Sequence, residues 1–397
     1  MSSPPQDSPA PPAAVIAPGR ARWLLPGALL VSVLVAYLNR LNISLALPAM
    51  AEEFSWTTEQ VGRNGGLFLS AFFLGYGVSN IVLSPAAARF GPRRSLLVVF
   101  VLFSLCTVAG VPLAGVPLLY AGTRLALGVT QGVHFPLMTV VTKDWFPAHE
   151  RSRANGIFIS GLLLAPLLGP VLLVPVADAF GWRAMLVVVG AGGWALAFPV
   201  LWLFVHDMPH RSPWVQPPEL AYIEAGVEHG EAEAGSWRFL LHVPFWLALA
   251  AGILNNFCVF GIIFWLPTYF TDARDLPFEQ LSYVASLPYV AGIGGLGVMA
   301  WLGDRLDRRA MLASCGYLIT AGLVFIAARA PGLWTVIACF AAAVFFQAAY
   351  GAQEFALLQR ILPHGSVSKG AGVYNGIAVL VGGGVGSAII GGLVSLT

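Results

Sequence analysis

Predominantly apolar runs recur from one end of the chain to the other, separated by short polar turns. A helix needs about 20 such residues to cross the hydrocarbon layer of a bilayer. Eleven runs reach that length: 22–49, 62–86, 94–113, 117–140, 153–177, 183–205, 243–270, 280–302, 309–328, 332–357 and 368–395. One long polar stretch, Asp207 to His242, breaks the rhythm with Pro pairs and the acidic run Glu224, Glu228, Glu231 and Glu233. The pattern therefore predicts an all-α membrane protein in four parts. These are a tail at 1–21, a six-helix bundle at 22–206, a linker at 207–242 and a five-helix bundle at 243–397. The tail opens MSSPPQDSPAPPAAVIAPG, which cannot bury an apolar face and is expected to be disordered and cytoplasmic. It lacks the basic n-region and cleavage site of a signal peptide.

Composition agrees with lipid as the main solvent. Of 397 residues, 57% are hydrophobic and 10% charged, against roughly 25% charged in an average soluble domain. With the tail cytoplasmic, fifteen of the 21 Lys and Arg fall on the inner side, four on the outer side, and two, Arg40 and Arg124, inside the membrane. This bias fits the positive-inside rule. The net charge of +2 is spread over short loops, which excludes a nucleic-acid partner. Cys106, Cys258, Cys315 and Cys339 stand singly in different runs, without metal-ligand spacing. No apolar run holds a Ser/His/Asp set, and no GxxxxGK[ST] occurs, so neither an enzyme nor a primary pump is expected, and no cofactor or metal is implied.

Two loops repeat each other. SPAAARFGPRRS lies between runs two and three, and GDRLDRRA between runs eight and nine. Paired basic turns at matching places point to related halves. They resemble the loop motif of the major facilitator superfamily, GxLaDRxGRR, which implies that fold with two pseudo-symmetric bundles. Eleven spans then leave a twelfth missing: either the sequence is truncated or the gene product ends at Thr397. The second copy keeps Asp304 and Arg305, whereas in the first Ala88 replaces the usual Asp beside Arg89; Asp304, Arg305 and Arg89 are the expected gating-loop residues. Four further stretches, YLNRLNISLALPAMAEEF, GYGVSN, RLALGVTQGVHFP with WFPAHERSRANG, and FWLPTYF, together resemble the anion:cation symporter family. That family includes bacterial sugar-acid carriers and animal sialic acid and vesicular glutamate carriers. The resemblance implies a bacterial inner-membrane carrier, N-terminus cytoplasmic and monomeric, that moves a small organic anion, with a proton or another cation as a further partner.

The intramembrane polar residues give that expectation its chemistry. An Arg at the centre of a lipid-facing helix costs about 3 kcal/mol, so Arg40 and Arg124 should face the interior. Neither has an acid within one helical turn, and an unpaired guanidinium can hold a carboxylate bidentately. Arg124, Gly128 and Gln131 share one helix face by spacing. In the family the position of Gln131 is commonly Glu and that of Asn39 commonly Asp, and the resemblance assigns proton coupling to those carboxylates. Gln131 and Asn39 hydrogen-bond but do not titrate, which leaves facilitated diffusion, exchange, another cation or another protonatable group. His134 is one candidate, with a bond to a backbone carbonyl as the alternative. Glu354 is a second, with an interfacial ion pair to Arg360 as the alternative. Tyr37, Tyr76 and Asn375 align with substrate-contacting positions of the family, though packing would place the same residues there. Leu162 stands where the family has a Gln, and Asn255 and Asn256 are expected in the cavity or between helices. Gly292, Gly294, Gly295, Gly297, Gly382, Gly383, Gly384 and Gly386 permit close helix approach, in static packing or in sliding alike. The alternative to a carrier is a membrane sensor built on the same fold.

Overall fold

A computed structural model describes residues 19–227, 237–272 and 287–385. Residues 1–18 of the tail, Glu228, Glu231 and Glu233 of the acidic run, the start of run eight and Gly386 lie outside the described residues. All regular structure among the described residues is helical. The helices are α1 Leu24–Glu53, α2 Thr58–Val82, α3 Ser84–Phe90, α4 Pro92–Gly110, α5 Pro117–Gly132, α6 His134–Trp145, α7 Arg151–Gly192, α8 Phe198–Phe204 and α9 Pro217–Gly226. They continue as α10 Val243–Asp272, α11 Leu287–Leu306, α12 Arg309–Arg329, α13 Leu333–Ile361 and α14 Val367–Ile377. Nine stretches among the described residues are long and apolar enough to cross a membrane. The eleven expected from the sequence are thus not all accounted for. Runs 280–302 and 368–395 extend into undescribed residues, and their described parts are α11, and α14 with a π-helical turn at Ala378–Val385.

Local chemistry sets the breaks. Thr57 accepts from the Gln60 backbone N–H while the Gln60 side chain accepts from that of Thr57, a capping box that starts α2. The run expected at 117–140 is two helices, α5 and α6, because Pro136 has no N–H to continue the ladder across Val133. Gly181, at φ 82 and ψ 162, turns the chain inside α7. That turn separates the stretches read from sequence as runs five and six.

Large apolar side chains such as Leu118, Leu318 and Phe325 are exposed along the helices, while Asn39, Asn42, Arg40, Arg124, Gln131 and His134 are buried. Lipid-facing helices require this arrangement, since lipid solvates the apolar surface and the polar groups must find partners inside. In the first half α1 packs on α7, and α2 on α5. In the second, α11 and α12 pack on α13, while across the halves α7 meets α11, and α14 meets α2 and α6. Some contacts are backbone on backbone. A Cβ on Gly128 would stand 2.1 Å from the Phe72 carbonyl oxygen, which ties α5 to α2 within one half. A Cβ on Gly372 would stand 2.1 Å from the Asn80 carbonyl oxygen, and one on Gly376 2.8 Å from that of Gly77, on a seam between the halves.

The halves meet at the end whose loops carry Arg89, Arg93, Arg94, Arg153, Arg308 and Arg309, called the basic end below. There Lys143 Nζ donates to the Leu362 carbonyl at 3.0 Å, Gln359 to that of Thr139 at 3.1 Å, and the Ser368 hydroxyl to that of Ser84 at 2.7 Å. Asp304 carries most of the charge. Its carboxylate accepts from the backbone N–H groups of Ser152 and Arg153 at 3.1 and 3.0 Å, at the N-terminus of α7. It also pairs with the guanidinium groups of Arg153 at 2.9 Å and Arg309 at 3.0 Å. An anion there satisfies orphan helix donors and meets the positive end of the helix dipole. Of the other expected gating-loop residues, Arg305 lies over the Trp301 ring and Arg89 is exposed at the end of α3. At the matching place in the other half, α3 packs on α14, and Ala88, near the end of α3, offers no carboxylate of the kind Asp304 supplies.

Helix α9, in the stretch read as the linker, docks on this end. Buried Arg22 pairs with Glu150 at 2.9 Å and with Glu219 of α9 at 3.0 Å. Glu219 also accepts from the backbone N–H groups of Ala21 and Arg22.

Candidate functional site

A cavity of about 890 Å³, its open mouth included, lies between the two groups of helices. Tyr37, Leu162, Asn255, Gln347, Glu354 and Asn375 are among its lining residues. Most of the remaining wall is aliphatic or aromatic, including Phe135, Val259 and Phe355. Spacing along six different helices brings these groups together, which no local motif could display.

Arg40 stands behind this wall. It is 8% exposed, and its guanidinium carbon lies 4.3 Å from the ring centre of Tyr37, 4.9 Å from that of Phe72 and 4.8 Å from that of Tyr76. Its Nε and Nη1 have no hydrogen-bond partner, and no acid among the described residues pairs with it. Each ring contributes about 0.5–2 kcal/mol of cation–π attraction. An unmet buried donor costs about 1–3 kcal/mol. The cage thus holds the charge in place while leaving Nε and Nη1 unsatisfied.

Arg124 is also buried; it donates to the Tyr120 hydroxyl and lies over the same ring at 4.9 Å. It sits one turn from Gly128, whose contact with the Phe72 backbone fixes α5 against the helix that supplies the cage of Arg40. The described lining includes neither arginine. Tyr37 links Arg40 to the cavity by its ring, and Asn375 links Tyr76 to it by donating to the Tyr76 hydroxyl at 2.8 Å and to Asn80 Oδ1 at 2.9 Å.

The other expected residues divide. Asn39 does not reach the cavity. Its amide donates to the carbonyls of Val35 and Val189 at 3.1 and 3.2 Å and accepts from the Thr107 hydroxyl at 2.9 Å, which ties α1 to α4 and α7. Gln131 donates to the Ala36 carbonyl at 3.2 Å, joining α5 to α1, and its own Oε1 is buried without a partner. His134 meets neither the cavity nor the backbone carbonyl considered for it; its Nε2 lies 3.0 Å from the Ser32 hydroxyl, with the ring edge-on to Phe100.

Glu354 differs from the ion pair considered for it, because Arg360 pairs with Asp307 instead. The helix runs to Ile361, four residues past the predicted end, so Glu354 lies seven residues, or about 10 Å, inside it. There it lines the cavity and accepts from the Tyr374 hydroxyl at 2.8 Å. Leu162 lines the cavity, as do Asn255 and Asn256. Asn255 accepts from Gln347 at 2.7 Å and from Tyr317, a network the sequence reading missed along with Tyr350 and Tyr374. The only cue was that Tyr374 adjoins Asn375 in VYNG.

Fold and site together define a polytopic helical membrane protein with a cavity between two groups of helices. Residues 29–387 match the sequence profile described as Major Facilitator Superfamily, and the chain belongs to that superfamily. It is 31% identical over 297 residues to the probable sulfoacetate transporter SauU of Cupriavidus necator, covering 73% of this chain but 66% of that protein, just under two thirds of its length. It is 24% identical to the D-galactonate transporter of Escherichia coli, over 90% of this chain and 86% of that one. Among solved structures, the proton:xylose symporter XylE bound to 6-bromo-6-deoxy-D-glucose shares the fold, with a TM-score of 0.75 at 16% identity over 93% of this chain and 88% of that one.

Proposed function

We propose that this protein is a secondary carrier that moves a small organic anion, a sugar acid or other carboxylate, across the bacterial inner membrane by alternating access. The observation that carries this reading is Arg40: a buried cation, caged by three rings beside the cavity, with two N–H groups unmet and no acid paired to it among the described residues. A carboxylate, sulfonate or similar group arriving there would supply charge-assisted hydrogen bonds that the fold itself does not. The names of the sulfoacetate and galactonate relatives support an anionic cargo. The basic loops support a cytoplasmic N-terminus, with the basic end on the inner side.

Arg40 and Arg124 would bind the anion, with Tyr37, Tyr76 and Asn375 shaping its seat. Asn39 and Gln131 would hold the helices that carry those groups. Since neither titrates, the usual coupling route of the anion:cation symporters does not run through them, and on these two positions alone the chain would be a uniporter or exchanger.

The test is uptake of labelled sulfoacetate, galactonate and benzoate into proteoliposomes by the wild type, Arg40→Ala, Arg40→Lys and Arg124→Ala. At least one acid should enter with the wild type. A lost charge-assisted bond of about 1.5–3 kcal/mol should weaken its apparent affinity roughly 10- to 100-fold in the alanine variants. Arg40→Lys should recover part of the loss, since an ammonium keeps charge but not the fork. Unchanged uptake in both alanine variants would sink the anion site.

A further inference from the structure

We propose that Glu354 is a proton-binding site of this carrier, loaded together with the organic anion. This rests on the carrier reading above and adds to it the ion that drives transport.

Glu354 is the one carboxylate among the described cavity-lining residues, and no Lys, Arg or His is among those residues. It makes no ion pair among the described residues. Among the described residues it accepts a neutral hydrogen bond, from the Tyr374 hydroxyl, which lies 2.9 Å from the Tyr350 hydroxyl. A carboxylate held against an aliphatic and aromatic wall without a counter-cation is costly to keep charged, so such a site takes up a cation. Hard metal cations ask for six or more oxygen ligands, or for a nearly ideal octahedron. One hydroxyl and the carboxylate itself suit a proton far better.

The groups packed around Glu354 support this assignment. Tyr374 comes from α14, Tyr350 from α13 itself, Tyr317 from α12, Tyr37 from α1 and Tyr289 from α11. Helix α10 contributes the neutral Asn255 and Asn256, with Cys258 near Tyr317, and α6 and α7 contribute Phe135, Ile159, Leu162 and Leu163. Phenols and thiols titrate well above neutrality. Within this shell Glu354 is therefore the carboxylic acid, and Arg40 stands behind the Tyr37 ring that lines the same cavity.

Coupling follows from charge. An anion drawn to the Arg40 side shares one low-dielectric cavity with the Glu354 carboxylate. Two negative charges there repel, and a proton on Glu354 removes the repulsion. Anion and proton then raise each other's affinity by the same factor. The step moves one proton from water to a carboxylate oxygen, and no bond of the cargo changes.

The experiment is calorimetric titration of the purified full chain with sulfoacetate, galactonate and benzoate near neutral pH, in two buffers of different ionisation enthalpy. The difference counts protons taken up per anion bound, whatever the affinity. We expect uptake by the wild type and by Glu354→Asp that rises toward one as the titration is repeated from pH 7 to pH 9, and none at any pH for Glu354→Gln. A wild type that binds an acid without proton uptake, or a Glu354→Gln variant that still takes up one proton, overturns the proposal. So does binding that requires sodium at constant pH. If neither protein binds any of the acids, the carrier reading itself falls and takes this one with it, an outcome distinct from binding without a proton.

Discussion

At the scale of single residues, position within the fold decides chemistry more than identity does. Asn39 was legible as the counterpart of a family Asp, yet its amide spans three helices through two donated bonds and one accepted bond. Restoring the acid should not restore coupling. Asn39→Asp loses at least one donor to the Val35 and Val189 carbonyls, which we expect to cost about 1–3 kcal/mol. Thermal unfolding in detergent should show the loss growing as pH rises, because ionisation removes the last proton that can bridge to those carbonyls. Arg40 and Arg124 were readable because a charge inside an apolar run has so few tolerable surroundings. The cage of Tyr37, Phe72 and Tyr76 was not readable, since two of its rings come from another helix. Glu354 was legible as a coupling candidate, but not its depth, which depends on where α13 ends; the helix runs four residues past the predicted end, so Glu354 stands in the cavity wall and Arg360 pairs with Asp307.

At the scale of elements, helix ends do the joining. Asp304 caps α7 from the opposite half, so Asp304→Asn keeps the shape but weakens the charge at both Arg partners and at the helix dipole. We expect the basic end to open more often. Labelling of a cysteine at Ala300, buried against Gly156 of α7, by an aqueous maleimide should rise several-fold in the variant over the same cysteine in an otherwise wild-type chain. Equal labelling would remove the gating role. At the other end of α1, Glu53 binds Arg183 and the Trp182 indole just past the Gly181 turn. Those hydrogen bonds, Arg183 first, hold its carboxyl below the usual glutamate range. A lowered folded-state value means the contribution is whole above the ordinary value of about 4.3 and is lost as pH falls through the lowered one. The stability gap between wild type and Glu53→Gln should therefore close on acidification from pH 7 to pH 3, as read by thermal unfolding. The paired loops were legible as a repeat. That Arg153 and Arg309 would hold Asp304, rather than Arg305 or Arg89, required the crossing of α7 over α11.

At the scale of the whole molecule, the stretch between the halves is more than a tether. Helix α9 places Glu219 against Arg22, and Arg22 against Glu150, the N-cap residue of the helix that Asp304 caps from the other side. Arg22→Ala leaves buried Glu219 without its ion pair and Glu150 with Arg153 alone, at 3.8 Å, and breaking a buried pair from one side costs about 3–5 kcal/mol. We expect a lower unfolding temperature in detergent, with part of it regained in the Arg22→Ala, Glu219→Gln double variant. The helical membrane class was open to view in the apolar runs, because bilayer thickness leaves few ways to use 20 such residues. The docking of α9 was hidden, since its polar sequence reads equally well as solvated chain.

The seam where Gly372 and Gly376 rest on the backbone of α2 gives the closed face two unlike edges. One edge, at α7 and α11, is held by charge. The other, at α2 and α14, is held by contact between main chains and by the uncharged hydrogen bonds from Asn375 to Tyr76 and Asn80. Salt acts on the first edge through the half-exposed Arg153, less through the buried Asp304–Arg309 pair, and leaves the second nearly untouched, because screening falls on accessible ions and not on dispersion. Added volume at the glycines does the reverse. The same conformational equilibrium can thus be biased by two orthogonal handles, one in the buffer and one in the sequence, and agreement between them would locate the moving boundary without any ligand.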